Sequence, residues 1–315
     1  IEGEEFVELY NRGAEALDLS GWCLDGVGFC FEGGLSLPPG AYVVLARDAA
    51  AFTARYGFEP DFVYPGQLDN GGESLTLRDA LNQIVDRVVY LDEPPWPVLP
   101  DGLGPSLERI DPALGADTPR NWRASTAEAG HTAKAANSVI ASGLPPWLSD
   151  VDFQLEPLPN TPLLVTARAD DASQVQLTYV IGFGNAVTVE MADDGNGTYG
   201  AEIPGQVANA LIRFNITATG PTGTMRYPRV DDTINYDGTK VAEPAVATAL
   251  PVVEWFVHPD DYARALSHYL TNELEPAVLC YNGKLYDNIQ FRVRGHTSRY
   301  WPKKNWKIHF PHGHD

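Results

Sequence analysis

Short runs in which apolar and polar residues alternate recur along most of this chain, and each run ends at a turn signal. The interruptions are rich in Asn, Asp and the chain's 29 glycines and 25 prolines. A period of two residues is typical of half-buried β-strands, and most runs are too short for helices that bury one face. The pattern predicts a mainly β protein, and a length of 315 residues predicts more than one domain.

The first segment, residues 1–138, is predicted to be a compact all-β sandwich or barrel. Its predicted strands are 6–10, the hairpin 22–31, 41–46, 74–79 and 84–90. One short helix is predicted at 47–57, because Gly57 is placed as a C-terminal stop signal.

Two of the three cysteines lie on either side of a predicted tight turn. In GWCLDGVGFCF, a turn over 25–28 places Cys23 directly opposite Cys30. A cross-strand disulfide and two free thiols both remain open at this point. A disulfide would indicate an oxidising compartment. Cys280 is predicted to be a buried strand residue.

Four blocks of the first segment carry a resemblance to a known family. They are EEFVELYNRGAEALDLSGWCL, LPPGAYVVLARD, LDNGGESLTLRDALNQIVDRVVY and SLERIDPALGADTPRNWRAS, followed by Asn137-Ser138. In this order they resemble a lamin tail domain over almost all of residues 1–138. HTAKAANS replaces the family's Gly-Thr-Pro-Gly run, and the family's opening strand is missing. The resemblance implies an immunoglobulin-like β-sandwich without a catalytic motif, and in bacteria a secreted or surface protein.

The second segment follows a predicted linker at 139–149. Residues 150–240 are predicted to form another β-sandwich, immunoglobulin-like or fibronectin-like, because the strands recur about every ten residues. The predicted strands are 163–169, 175–181, 186–191, 198–203 and 210–219. In the turn DDGNGTY (193–199), the side-chain oxygens of Asp193, Asp194 and Asn196 lie close together in sequence, as calcium ligands would. A hairpin turn is favoured, because no Glu stands at the position that supplies the last ligand of an EF-hand.

The third segment, 250–315, is predicted to be α+β. A helix is predicted over 259–276, with a buried stripe formed by Tyr262, Leu266, Leu270 and Leu274. Two strands, 277–283 and 288–295, are predicted next.

A basic tail follows in a chain whose formal net charge is −20. If 306–310 is a strand, Trp306 and Ile308 share the buried face, and Lys307 points to solvent or to a ligand. The preceding stretch Gly295-His296-Thr297-Ser298-Arg299 combines glycine, hydroxyls and arginine, which suits an anion such as phosphate. The spacing alone favours a solvated basic strand.

The stretches LPVVEWFVHPDDYARAL and NGKLYDNIQFRVRGHTSRYWPKKNWKIHF together resemble the start of the spore coat protein H (CotH) family of atypical kinases. The resemblance covers about residues 250–315 and implies transfer of phosphate from ATP to protein, with a divalent metal. The residues that would border the nucleotide phosphates are Arg294, Ser298, Arg299, Lys303, Lys304 and Lys307. Lys307 is the preferred phosphate-pairing lysine, and Lys303 and Lys304 are the alternatives.

Catalytic residues remain unknown at this point. Asp287 is predicted to precede its strand and Asp315 is the last residue, so neither fits a kinase's catalytic or metal-binding carboxylate. The chain is therefore expected to stop before the catalytic half and not to be a working kinase. His312 and His314 could hold a metal, but a frayed end is favoured and no metal site is predicted.

The function predicted for the whole chain is that of a modular, secreted or surface bacterial protein, read as a fragment whose signal peptide lies outside it. The sandwiches would bind a protein or a cell-surface polymer and need no cofactor, while a complete kinase-like domain would use ATP and a divalent metal. The acidic charge disfavours nucleic acid, and no apolar run has the length of a bilayer span. One alternative is a non-catalytic adhesion or scaffold protein with a degenerate kinase-like region. Another is a targeting appendage of a hydrolase. Trp96, Trp122 and Trp147 could offer stacking surfaces for sugars, but core packing is favoured for Trp96 and Trp122.

Overall fold

The computed structural model describes residues 3–246, 248 and 250–314, which leaves Asp315 outside the described residues. The chain divides into two compact units, unit 1 with residues 1–144 and unit 2 with residues 145–315. Both are mainly β. Within the described ranges, no helix combines the length and the apolar character needed to cross a membrane.

Unit 1 contains eleven strands and one α-helix among its described residues. The strands are β1 (Phe6–Tyr10), β2 (Leu17–Asp18), β3 (Cys23–Asp25), β4 (Phe29–Cys30), β5 (Ser36–Leu37), β6 (Tyr42–Ala46), β7 (Phe62–Val63), β8 (Glu73–Arg78), β9 (Ile84–Tyr90), β10 (Leu107–Arg109) and β11 (Trp122–Ala124). Helix α1 (Ala49–Tyr56) begins after Asp48, whose carboxylate accepts from the Ala51 N–H, and ends at Gly57 with φ 81°. The helix prediction and its stop signal are confirmed.

Two sheets of unit 1 enclose a hydrophobic core and form a sandwich. One sheet has the order β1-β6-β7, with β7 parallel to β6, and the other has the order β4-β3-β8-β9. Their buried side chains are Leu19, Leu24, Val27, Phe31, Leu37, Val43, Leu45 and Tyr64. In the β3–β4 hairpin, Cys23 lies opposite Cys30 and their sulfur atoms are bonded.

The segment HTAKAANS (131–138) closes unit 1 through polar contacts with its strands. The Lys134 N–H donates to Glu8 Oε1 at 2.5 Å, and Lys134 Nζ lies 2.9 Å from Asp61 Oδ1. The N–H and hydroxyl of Ser138 both donate to Glu108 Oε2, at 2.8 and 2.7 Å. Backbone and side-chain groups of this segment therefore both attach it to the strands of unit 1.

Unit 2 begins with a second sandwich. Its strands are β12 (Trp147–Phe153), β13 (Leu163–Asp170), β14 (Gln174–Ile181), β15 (Ala186–Glu190), β16 (Ala192–Asp193), β17 (Thr198–Ile203), β18 (Leu211–Gly220), β19 (Gly223–Tyr227) and β20 (Asp237–Lys240). A sheet of order β12-β13-β17-β16 packs on a sheet of order β15-β14-β18-β19, in which β20 also pairs with β18. Val165, Leu177, Phe214 and Ile216 are fully buried between them. Strand β12 begins at Trp147, inside the segment predicted as a linker, because 147–149 pair with 168–170 of β13.

The last part of unit 2 is a four-stranded antiparallel sheet with one helix. The strands are β21 (Val253–Phe256), β22 (Glu275–Tyr281), β23 (Lys284–Arg294) and β24 (Asn305–His309), in that order across the sheet, and the helix is α2 (Pro259–Ser267). Cys280 is buried in β22, as predicted. Ala265 of α2 is buried with Ile289 and Phe291 of β23.

The helix predicted over 259–276 ends at Ser267, so its second half was predicted wrongly. Leu270 and Leu274 are exposed, and Ala265 is the buried helical residue. The helix cannot continue to 276, because Glu275 already belongs to β22, where it pairs with Phe291 of β23. The helix residue Arg264 reaches over to Glu275, with Nε 3.0 Å from Oε2.

Strand β23 begins at Lys284, so Asp287 lies inside the strand and the prediction that it precedes the strand was wrong. A bulge at Asn288, with φ 56°, allows the strand to continue through this point. Asp287 is buried and accepts from the backbone N–H groups of Asn235 and Tyr236, at 3.0 and 3.1 Å. It also forms an ion pair with Arg213 at 3.4 Å, so its carboxylate is used in folding.

Candidate anion-binding site

The β23–β24 hairpin places basic side chains on one face of the last sheet. Arg292 lies directly opposite Lys307, and Arg294 lies opposite Asn305. Opposed residues of an antiparallel pair share a face, and diagonal neighbours lie about 7–8 Å apart. Arg292, Arg294 and Lys307 therefore point to the same side, away from the buried Phe291 and Val293. We call these three residues the basic face.

Among the described residues, the basic face has no acidic partner. Within the ranges that the structure describes, Arg292, Arg294 and Lys307 form no ion pair, and Arg292 donates only to the carbonyl of Val293 at 3.3 Å. Like charges directly opposite each other destabilise a strand pair. The positive potential is also felt by His309, whose pKa is lowered by burial and by the nearby charges of Lys307 and Arg292. An anionic ligand would relieve this repulsion.

Two of the predicted phosphate-binding residues instead hold the loop that joins β23 to β24. Arg299 donates to the carbonyl of Thr271 at 2.9 Å and to Asn272 Oδ1 at 3.0 Å. Lys304 Nζ donates to the carbonyl of Arg299 at 2.6 Å and lies 4.6 Å from the centre of the Tyr269 ring. Their positive ends are therefore engaged within the protein, while the predicted residue Lys303 is exposed.

Ser298 lies in a 3-10 turn (Thr297–Tyr300) and packs against Gly295. A Cβ at position 295 would approach the Ser298 hydroxyl oxygen to 2.0 Å, and Gly295 has φ +113°. Position 295 therefore requires glycine for both space and backbone conformation. The serine is half-buried at the base of the loop.

The described carboxylates do not supply a metal site beside the basic face. No group of three or more His, Cys, Asp or Glu side chains in the described part of the chain could hold a metal ion. The prediction that His314 lies in a frayed end was wrong. Its Nε2 lies 2.6 Å from Asp232 Oδ1. The carbonyl of His312 accepts from the Thr233 hydroxyl at 2.5 Å, which ties this segment to the sandwich.

The remaining predicted sites have structural roles. In the turn at 193–199, Asp193 and Asp194 accept from backbone N–H groups two residues further on, as in a hairpin turn. Trp96 is buried, and the Trp122 indole N–H donates to the carbonyl of Ala116 at 2.7 Å. Trp147 is half-buried against the core of the second sandwich.

The sequence prediction did not include Arg292 among the phosphate-binding residues. The signal was present in the alternation of Arg292 with Arg294, which places both on one face of a strand. The missing information was the register, because only the pairing of β23 with β24 shows which residue of the tail lies opposite Arg292.

Comparisons with known proteins identify one part of the chain. A family model described as Lamin Tail Domain matches residues 1–92, which confirms the resemblance over this range and fits an immunoglobulin-like fold. No curated protein matches the chain. Among solved structures, the Br derivative of BhCBM56 is 14% identical with a TM-score of 0.21, and the match covers 24% of this chain and 85% of that one.

A second solved structure, the pullulanase from Bacillus acidopullulyticus, is 13% identical with a TM-score of 0.18. That match covers 63% of this chain and 21% of the pullulanase chain. Similarity at these TM-scores does not define a common fold. The chain is therefore a modular β-rich protein with a lamin-tail-type domain over its first 92 residues.

Proposed function

We propose that the sheet at 253–309 binds the phosphates of ATP on its basic face, as part of a CotH-like protein kinase domain. The observation that supports this most directly is the basic face itself, where Arg292, Arg294 and Lys307 share one side of a strand pair and form no ion pair with a described carboxylate. The chain has 42 acidic and only 22 basic residues, so three cations on one face without an acidic partner in the described ranges stand out. Guanidinium and ammonium groups on one face of a sheet favour a phosphate as ligand.

The two sandwiches would serve as binding or spacing modules of a secreted or cell-surface bacterial protein. The lamin-tail-type fold and the cross-strand disulfide between Cys23 and Cys30 both support this setting, because disulfides persist in oxidising environments. Their partner would be a protein or a cell-surface polymer. A divalent metal would bind with ATP only where carboxylates beyond those described here complete the site.

A second function, that of a non-catalytic adhesion or scaffold protein, is favoured by the use of Asp287. This carboxylate lies on the same strand as Arg292 and Arg294, yet it is buried in contacts with Arg213 and two backbone N–H groups. It cannot hold a metal without loss of these contacts. In this case the kinase-like region would be degenerate and would bind ATP weakly or not at all.

Lysine labelling with an amine-reactive reagent tests the proposal in the chain of residues 1–315. Saturating ATP should lower the reactivity of Lys307 several-fold and that of exposed Lys303 to a smaller extent, because bound phosphates shield their amino groups. Lys304 should react slowly in both conditions, since its Nζ is held by the Arg299 carbonyl.

Lys284 is the internal control for this experiment. It is exposed at the other end of β23, where its Nζ lies 5.0 Å from the centre of the Tyr286 ring. Its labelling should not change with ATP. Equal labelling of Lys307 with and without ATP would contradict the proposal and leave the scaffold function.

A further inference from the structure

Three asparagines of this chain are followed by glycine, at Asn70-Gly71, Asn196-Gly197 and Asn282-Gly283. In such a pair the backbone nitrogen of the glycine can attack the side-chain amide of the asparagine, and the two groups meet at a high effective concentration because they belong to one short segment. Glycine favours this attack, because it has no side chain in the way and adopts most backbone conformations. The three pairs differ in how the fold treats the glycine and its N–H group.

Asn196 is exposed in the turn that joins β16 to β17. The N–H groups of Asn196 and Thr198 both donate to Asp194 Oδ1, at 2.8 and 3.3 Å. For the Gly197 N–H and the Asn196 side chain, the described part of the chain provides no hydrogen-bond partner. An N–H group without an acceptor gives up its proton to solvent base most readily, and the side-chain amide is free to turn toward the nitrogen.

Asn70 is exposed as well, but the N–H group that follows it is engaged. The Gly71 N–H donates to Asp69 Oδ1 at 2.9 Å. This hydrogen bond has to open before the proton can leave, and the negative charge of the carboxylate opposes a second negative charge on the nitrogen. Attack on the Asn70 amide should therefore be slow in the folded protein.

Asn282 lies in the tight turn between β22 and β23, with φ 51°. Gly283 is buried, and its carbonyl accepts from the Thr239 hydroxyl at 2.9 Å. A Cβ at position 283 would approach side-chain atoms of Leu155 and Glu156 to 3.0 Å, so the turn is closely packed. Little of the glycine is open to solvent base, and the packing opposes the change of backbone conformation that the attack requires.

We propose that Asn196 is a site of spontaneous modification in the folded protein, where it converts to a mixture of aspartate and isoaspartate. The Gly197 nitrogen attacks Cγ of Asn196, so an N–Cγ bond forms and the Cγ–Nδ2 bond breaks. Nδ2 leaves as ammonia with the proton that the Gly197 nitrogen has lost, and a cyclic imide remains. Water then adds to one of the two imide carbonyl carbons. Opening at Cγ gives aspartate, and opening at the backbone carbonyl carbon gives isoaspartate.

The modification changes both the charge and the backbone of the turn. Either product replaces a neutral amide with a carboxylate, close to Asp193 and Asp194, so the modified chain carries more negative charge. Isoaspartate also lengthens the backbone between Asp194 and Thr198, whose N–H group donates to Asp194 Oδ1. The modified protein should therefore separate from the unmodified protein on anion exchange.

Peptide mapping by tandem mass spectrometry tests this inference on the chain of residues 1–315, sampled after increasing times in mildly alkaline buffer. In the folded protein, Asn196 should convert several-fold faster than Asn70 and Asn282. In the same chain unfolded in urea, the rates at these asparagines should become similar, because the glycine that follows each of them is then equally free.

Two variants test the cause of the selectivity. Asp69→Ala removes the acceptor of the Gly71 N–H, so conversion of Asn70 should accelerate toward the rate of Asn196, while Asn196 itself is unaffected. Asn196→Gln should abolish the first acidic species that appears on anion exchange, because glutamine would have to close a larger ring and reacts far more slowly.

Each contrary result overturns a defined part of the inference. If Asn196 converts no faster than the other two asparagines in the folded protein, the site is wrong. If the rates rank in the same way in the folded and the unfolded chain, the fold does not select the site and the inference is overturned. If Asp69→Ala leaves the rate at Asn70 unchanged, the selectivity does not come from the acceptor of the N–H group.

Discussion

Glu8 of β1 is one of three carboxylates of unit 1 that contact the HTAKAANS segment, together with Asp61 and Glu108. The pKa of Glu8 is raised to about 7, mainly by burial and partly by the nearby charges of Glu108 and Asp61, against the lowering effect of the Lys134 N–H. The segment is held by this acidic surface, since Glu8, Asp61 and Glu108 each accept a hydrogen bond from it. A single titrating side chain thus affects how firmly the segment is held.

We expect Glu8→Gln to stabilise the protein at pH 8 but not near pH 4. A carboxyl whose pKa is raised on folding binds more protons in the folded state, so the wild type loses stability as the pH rises from about 4.5 to about 7. Glutamine accepts the same N–H and stays neutral. The gain at pH 8 should be at most about 3 kcal/mol, measured by urea unfolding at both pH values.

Glu59→Gln is the control for this change, because Glu59 is an exposed carboxylate of the same unit. Its effect should be small at both pH values. A Glu8→Gln effect of the same size at pH 4 and pH 8 would show that Glu8 does not titrate in this range.

At the scale of elements, β23 belongs to two different environments. Before the bulge at Asn288, Leu285 and Asp287 face the second sandwich, where Leu285 packs on Leu211 and Asp287 pairs with Arg213. After the bulge, the same side of the strand carries Arg292 and Arg294. The strand therefore anchors the sheet with one half and presents the basic face with the other.

We expect Asp287→Ala to destabilise unit 2 by about 3–5 kcal/mol. The change leaves the Arg213 guanidinium and the N–H groups of Asn235 and Tyr236 without their acceptor in a buried position. Urea unfolding measures the loss, and Asp287→Asn should cost less because the amide oxygen still accepts. Asp260→Ala, in the exposed first turn of α2, is the control and should cost less than about 1 kcal/mol. A small effect of Asp287→Ala would mean that β23 is anchored by apolar packing alone.

At the scale of the whole molecule, the second sandwich and the last sheet are parts of one compact unit. Leu211 of the sandwich is buried with Val278 and Leu285 of the sheet. Lys240 of β20 is 7% exposed and lies 2.5 Å from Glu254 of β21, so a charged pair also joins them. Apolar packing and an ion pair therefore join the second sandwich to the last sheet within unit 2.

We expect Leu285→Ala to lower the protection of backbone amides from hydrogen exchange in both halves of unit 2. Removal of a buried leucine side chain costs about 2–5 kcal/mol, and a shared core passes this loss to the strands on both sides. Exchange should rise in β18 as well as in β22. Leu274→Ala, an exposed leucine outside the strands, should leave both unchanged. Faster exchange confined to the last sheet would show that the two halves unfold separately.

The sequence by itself determined the features that depend on neighbouring residues. Alternating runs place most strands of both sandwiches, Asp48 and Gly57 mark the ends of α1, and the turn at 25–28 sets Cys23 opposite Cys30. The same local information placed Lys307 on the outward face of a strand in the basic tail, whereas Arg294 was named only through the CotH resemblance. Each of these features follows from backbone preference and side-chain period, which act over a few residues.

The tertiary structure alone decided the features that depend on distant partners. Helix α2 ends early because Glu275 enters the sheet opposite Phe291, and β23 extends past Asp287 because Asn288 forms a bulge. Arg299, Lys304 and Lys307 all carry a positive charge, but their surroundings differ. Arg299 donates to the carbonyl of Thr271 and Lys304 to the carbonyl of Arg299, whereas Lys307 lies opposite another cation, Arg292. The energy of a charge depends on which groups surround it in space, and that neighbourhood is set by strand pairing between residues far apart in the sequence.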